Sequence, residues 1–262
     1  MKKYQDTDNS MPSSEKLSKI EFDHQPENIR ERLQRRRDYN YLGDIVLGAI
    51  DGCVTTFAVI AGAIGAGFSS GIAIVMGFAN LVADGFSMAV SNYHNTRSQR
   101  ELVEKARQRE FRHIEIIPEG EREEIRQIFS AKGFESEILE NIVEVITRNR
   151  DLWVDTMIKE ELGLQSDGPQ PFLAALATLI AFILIGSIPL MPFLITSIDP
   201  SESFMVSVLV TGVVFFMIGM VKGHVIEKSR VFSGIETLMT GGGAALLAYL
   251  VGNWLRASYG VL

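Results

Sequence analysis

The stretch DIVLGAIDGCVTTFAVIAGAIGAG runs from Asp44 to Gly67, and GIAIVMGFANLVADGFSMAVSNY follows from Gly71 to Tyr93. Neither alternates with the period of a strand, and neither leaves the wide polar face that a helix of a soluble domain turns to water. Crossing a hydrocarbon layer of ~30 Å takes about 20 mostly apolar residues. Both stretches meet that length, so a pair of membrane-spanning helices is predicted. Three later runs read the same way: Phe172–Ile195, Phe204–Val221 and Ser233–Trp254.

Charge fills the space between these runs. The chain is 47% hydrophobic and 22% charged, ordinary averages that decide nothing. Nearly all of the charge lies in 1–43 and 96–168. Lys and Arg collect on the cytosolic side of membrane proteins. Of the 25 in this chain, 24 lie in 1–43, 96–168 and 222–230, and Arg256 follows the last run. The expected topology is an N-terminus in the cytosol, five crossings and a C-terminus outside. The expected domains are a polar, basic, partly disordered tail (1–39), transmembrane helices one and two (40–95), a cytosolic helical domain (96–168) and transmembrane helices three to five (169–262). The tail is read as disordered up to about His24, with no apolar face to bury. It is too long and polar ahead of the first run to be a signal peptide. A pI of about 5.2 speaks against nucleic acid as a partner. Cys53 is the only cysteine, so no internal disulfide is possible, and small-residue packing in the first span is its expected role.

The insert carries helical signals throughout. Ser98–Ile116 continues the second span as a charged helix, and Pro118 breaks it. Glu119–Ala131 follows, ended by Gly133, and then Glu135–Thr147, with Ile138, Ile142, Val145 and Ile146 as its expected apolar stripe. Leu152–Leu162 is the last, ended by Gly163. Glu110 and His113 are three apart before Pro118, and Glu121 and Glu124 are three apart after it. Each pair shares a helix face, and a turn at Pro118 would fold the two faces together. Met157 and Glu161 add a thioether and a carboxylate at a spacing of four. Carboxylate, imidazole and thioether suit a divalent transition metal better than Ca²⁺, although acid-rich helices are more often only solvated faces.

Acids inside the spans stand out, because each costs ~3 kcal/mol at mid-helix. Asp44 and Asp51 share a face of the first span, and Asn80, Asp84 and Met88 form a stripe on the second. Glycines around both permit close helix approach. Together the stripes would line a cation route that also takes protons. The plainer reading of Asp44 is a cap at the start of its helix, and of Met88, core packing.

The runs Asp51-Gly52-Cys53-Val54-Thr55-Thr56-Phe57-Ala58 and Asp84-Gly85-Phe86-Ser87-Met88-Ala89 resemble the vacuolar iron transporter (VIT) family. So do Ser98-Gln99-Arg100-Glu101, Lys159-Glu160-Glu161-Leu162-Gly163-Leu164 and the five-span layout with an insert after the second, over about 40–256. The resemblance implies an all-α membrane protein, a homodimer that exports cytosolic Fe²⁺, and often Mn²⁺, in exchange for protons. It implies a path lined by Asp44, Asp51 and Met88, with Asp84 supplying a carboxylate displaced from Asn80. It also implies a metal-binding domain whose ligands are Glu110, Glu121, Glu124, Met157 and Glu161, holding Fe²⁺, Mn²⁺ or Zn²⁺. This sequence departs from the family pattern at His113, where a glutamate is usual, at Ile158, where a second methionine is, and at Asn80. The membrane is expected to be a bacterial inner membrane, or a vacuolar membrane if the source is eukaryotic.

An enzyme is not expected. Asp51-Gly52 and Asp84-Gly85 lie on separate spans and lack the compact Asp-Gly, Ala-Arg, double-aspartate arrangement of membrane alcohol phosphatidyltransferases. The alternative is a membrane-anchored iron sensor or di-iron oxidase built on Glu110-x-x-His113, but an anchor needs neither Asp51 nor Asp84.

Overall fold

In the computed structural model, residues 14–34, 39–165, 168–195 and 200–260 are described, and among them all regular structure is helical. The contacts divide the chain into Met1–Tyr39 and Asn40–Leu262. In the first unit, α1 (Ser14–Asp23) and α2 (Pro26–Gln34) form a helical pair. This corrects the expectation of disorder up to His24. The carbonyls at the end of α1 are met by side chains, His24 Nδ1 on Ile20 O at 2.8 Å and Asn28 Nδ2 on Phe22 O at 2.7 Å. Pro26 then starts α2 with its φ already helical. Residues 1–13 lie outside the described residues.

The second unit holds α3 (Leu42–Gly65), α4 (Ser70–Ile116), α5 (Pro118–Ala131), α6 (Ser136–Thr147), α7 (Arg150–Glu160), α8 (Pro171–Gly186), α9 (Met191–Leu194), α10 (Pro200–Val225) and α11 (Arg230–Tyr259). Five stretches are long and apolar enough to cross a membrane: Leu42–Gly65, the first half of α4, Pro171–Leu194, Glu202–Val225 and α11. The expected spans agree with these to within a few residues at each end. The third is interrupted, since Ile188–Leu190 around Pro189 forms a 3₁₀ turn between α8 and α9. Large apolar side chains such as Val82, Phe86, Leu184, Leu209, Met217 and Leu247 point outward from the spans. Such an apolar exterior belongs against lipid tails rather than water.

Helix α3 lies at the centre, packed most extensively against α8 and α11 and also against α4. Its glycines make this possible. A Cβ on Gly48 would lie 2.2 Å from Thr178 O, and one on Gly52 2.5 Å from Phe182 O, so α3 and α8 touch backbone to backbone. At the other end of α3 a Cβ on Gly65 would meet Tyr249 O of α11 at 2.3 Å. Cys53 is fully buried here with Phe57, Ala61, Phe215 and Ala245, the packing role expected of it.

Beyond the membrane stretch, α4 runs on without a break to Ile116, and α5, α6 and α7 pack near its far end. Ile117 leaves helical geometry at φ −135° and ψ 59° ahead of Pro118. Gly133 (φ +93°) and Gly163 (φ +63°) supply the left-handed residues that end α5 and α7. The core of this helical cluster is Ile114, Ile125, Leu139, Val143, Ile146, Trp153, Val154, Met157 and Ile158. Of the stripe expected on α6, Ile146 lies in this core and Ile142 packs against it, whereas Ile138 and Val145 do not and Leu139 and Val143 take their place. Leu139, Val143 and Ile146 face inward, while Ile138 and Val145 are more than 60% exposed. Both sets repeat at i, i+4 and i+7, so spacing could not choose between them.

Replacing Gly52 by Leu should push α3 off α8, at a cost of about 1–3 kcal/mol or more. Thermal unfolding followed by size-exclusion chromatography in detergent should register a clear loss. Gly43→Ala, with nothing within 4 Å of its Cβ position, should leave the melting temperature unchanged.

Candidate metal sites

The sharp turn at Pro118 lays the first turn of α5 beside the last turns of α4. It brings Glu110, His113 and Glu121 together, with one ligand atom from each lying within 4.8 Å of the others. His113 Nδ1 stands 3.2 Å from Glu121 Oε1 and 3.9 Å from Glu110 Oε2. Both carboxylates are buried, their side chains 2% and 5% exposed, whereas His113 remains partly open to solvent.

Burying two acids together is costly unless something positive sits between them. Glu110 Oε1 accepts a hydrogen bond from Arg109 Nε at 3.0 Å. Glu121 Oε2 is buried with no hydrogen-bond partner. Burial, and then the nearby charges of Glu124, Glu110 and Glu161, push the Glu121 carboxyl up to about 7 against the opposing pull of His113. Glu161 is raised as well, by burial and then by Glu124 and Glu110, with Arg109 and His113 opposing. Two buried carboxylates thus share one place, with the charges of Glu124 and Glu161 felt there, and one of the two has a buried oxygen with nothing to bond. A divalent cation fits that need, and a mixed carboxylate–imidazole set suits Fe²⁺, Mn²⁺ or Zn²⁺.

The remaining residues of the set fall around this group. Glu124 sits one turn further along α5 and is exposed, and Glu161 lies at the end of α7, also exposed. Met157 is enclosed in the apolar core with Ile125, Val154 and Ile158. Ile158 is fully buried too.

The second group lies within the membrane stretch. Asp51 on α3 and Asp84 on α4 are half-buried and close enough for their charges to interact. Thr55 donates to Asp51 O at 2.9 Å and accepts a long bond from Asn80 Nδ2 at 3.4 Å, so Asn80 ties the two helices together. Met88 packs at the edge of an apolar cluster containing Ile60, Leu81 and Phe182.

Asp44 does not cap its own helix. Its Oδ1 accepts from Asn92 Nδ2 on α4 at 2.8 Å, and its Oδ2 is buried without a partner. Asn92 donates also to Thr178 Oγ1 of α8 at 2.8 Å, and the Thr178 hydroxyl donates in turn to Ala174 O at 3.0 Å. Asn92 and Thr178 were not singled out from the sequence. Asn92 continues the stripe of Asn80, Asp84 and Met88 by one more step of four, so its signal was present. Thr178 is a lone hydroxyl in an apolar run and had no such signal.

A sequence model of the VIT family matches residues 42–253, which takes in the five membrane stretches and the insert. Over 230 residues the chain is 31% identical to a vacuolar iron transporter of Toxoplasma gondii, covering 84% of this chain and 76% of the relative. It is 31% identical over 207 residues to vacuolar iron transporter 1 of Arabidopsis thaliana, covering 79% and 82%. With a vacuolar iron transporter of Plasmodium falciparum it shares 29% over 228 residues, covering 84% of each. The chain belongs to the VIT family.

Proposed function

We propose that this protein carries Fe²⁺, and Mn²⁺ besides, out of the cytosol in exchange for protons, and that its insert gathers the ions before they enter the membrane. The observation that carries the reading is that Asp51 and Asp84 sit half-buried on two apolar helices packed against each other. An acid in hydrocarbon is retained only for a purpose, and two that sense each other make a site for a dication or for protons. The names of the relatives, vacuolar iron transporters, point to the same cargo. A sensor or oxidase on a membrane anchor has no use for these aspartates.

In this reading the insert and the N-terminus lie in the cytosol, as the distribution of Lys and Arg argues. The membrane is the inner membrane in a bacterium or the vacuolar membrane in a eukaryote. Glu110, His113 and Glu121 take a metal ion from solution, with Glu124 and Glu161 adding charge and Met157 a thioether at the core side. The ion then passes to Asp44, Asp51 and Asp84. A single chain leaves these three only half-buried, so a second copy closes the path, with the α3 helices at the shared axis. Carboxylates release metal when protonated, and acid on the far side therefore discharges the ion and sends protons back.

Proteoliposomes loaded at acid pH should take up Fe²⁺ in proportion to the pH gradient. Asp51→Ala should abolish that flux, and Asp51→Asn should remove its dependence on the gradient. Gradient-driven flux that is unchanged in Asp51→Asn would remove Asp51 from the coupling.

Metal binding at the insert should follow the protonation of Glu121. Above pH 7 its carboxylate is free to bind, and as pH falls through about 7 Mn²⁺ affinity should decline. Glu121→Gln should weaken binding by about tenfold or more and flatten that profile. Without metal, the raised carboxyl is a stabilising proton acceptor in the fold. That stability is complete below the carboxyl's ordinary value of 4.5 and is lost as pH rises through about 7. The metal-free protein should accordingly melt higher at pH 6 than at pH 8, and saturating Mn²⁺ should reverse the order.

A further inference from the structure

A second polar cleft opens beside the carboxylate cluster, on a different face of α4. It encloses about 730 Å³ and is lined by Lys105, Gln108, Arg109 and Arg112 on α4, with Leu102, Leu162 and Leu164 among the apolar residues of its wall. Lys105, Arg109 and Arg112 stand at i, i+4 and i+7, so all three cations share one helix face. Among the described residues, no acid lines the cleft. Lys105 and Arg112 make no ion pair with any other described residue, whereas the neighbouring Arg107 is held by Asp155 at 2.6 Å. Cations of like sign lining one concave wall focus a positive potential and attract an anion.

We propose that this cleft binds a small soluble phosphate monoester, with the phosphate on Lys105, Arg109 and Arg112 and an apolar body against Leu102, Leu162 and Leu164. Arginine suits the flat fork of a phosphate and lysine supplies a point charge. The leucines give an organic group a dry surface that inorganic phosphate cannot use. A lipid headgroup of the surrounding bilayer is a poor candidate by distance. Lys105 and Arg112 follow Tyr93, the predicted end of the span, by ~18 Å and ~28 Å along the helix axis, while the headgroup layer adds only ~5–8 Å on each side. Arg109 also belongs to Glu110, at 3.0 Å. An anion that draws Arg109 into the cleft leaves Glu110 without its counter-charge, so the cleft is wired to the carboxylate cluster through one side chain.

The test uses the full-length protein, metal-free, in nanodiscs of phosphatidylcholine, with phenyl phosphate and inorganic phosphate as probes in equilibrium binding. Phenyl phosphate should bind about fivefold or more tightly than inorganic phosphate. The double variant K105A/R112A should lose about tenfold in affinity for both, while Arg148→Ala, an exposed arginine of the insert outside the cleft, should change neither. Equal binding by K105A/R112A and the parent protein, or equal affinity for the two probes, would overturn the proposal. Nanodiscs of phosphatidylglycerol should bind phenyl phosphate as well as the neutral ones do, beyond a general effect that salt screens. If they compete it away at 0.15 M salt, the site belongs to a lipid headgroup and the soluble ligand is ruled out.

Discussion

Everything in the membrane part of this protein depends on how closely α3 can approach α8. Lipid tails are as apolar as leucine, so helices in a bilayer gain little from hiding apolar surface against each other. Van der Waals contact and the bonds between them must hold them instead. Gly48 and Gly52 let the backbones of α3 and α8 meet directly, since a Cβ at either place would run into a carbonyl. Asp51 lies between those two glycines in sequence. The close approach that holds the helices therefore also fixes the height and heading of the acid, and Thr178, whose carbonyl meets Gly48, turns its hydroxyl to Asn92 and through it to Asp44. Packing and chemistry share the same few residues.

The insert rests on a different balance. It has a water-facing surface and an apolar core of its own, built around Ile125, Val143, Val154 and Met157. Burial there is favourable in the ordinary way, at roughly 25 cal/mol for each Å² of apolar surface. That gain offsets the cost of burying Glu110 and Glu121. The peripheral ion pairs, such as Arg126 with Glu140 at 2.7 Å, are exposed and contribute little beside it. Acids held in a half-dry place need a core nearby to offset their cost, and this cluster has one.

Much of the architecture was legible in the sequence because length and continuous apolarity are unambiguous signals for a membrane helix. Pro118, Gly133 and Gly163 were equally plain, because each has one backbone consequence. The grouping of Glu110, His113 and Glu121 followed from spacing on either side of Pro118. Other features were hidden for physical reasons. The inward face of α6 could not be chosen, since two apolar sets on that helix repeat with one period. The helix α1 was missed because composition says nothing of His24 and Asn28 bonding back to its last carbonyls. Met157, singled out by its spacing to Glu161, is enclosed in the apolar core, a burial that spacing alone does not reveal. Asn92 was within reach of the same step of four that picked out Asp84 and Met88.

The unbroken run of α4 gives the molecule a mechanical property. Its 47 residues form one rod of ~70 Å, without a proline. Where it passes Phe182 of α8, Gly85 allows a close approach, since a Cβ there would lie 3.0 Å from the ring. A tilt of ~5° about Gly85 carries Glu110, ~38 Å further along the axis, through ~3 Å. In such a tilt Asp84, one residue from Gly85, would hardly move, while Asn92 and the carboxylates of the far end would be displaced in proportion to their distance. The carboxylate cluster at one end of this helix and Asp84 in its membrane half therefore belong to one straight element, and reorienting either end turns the other.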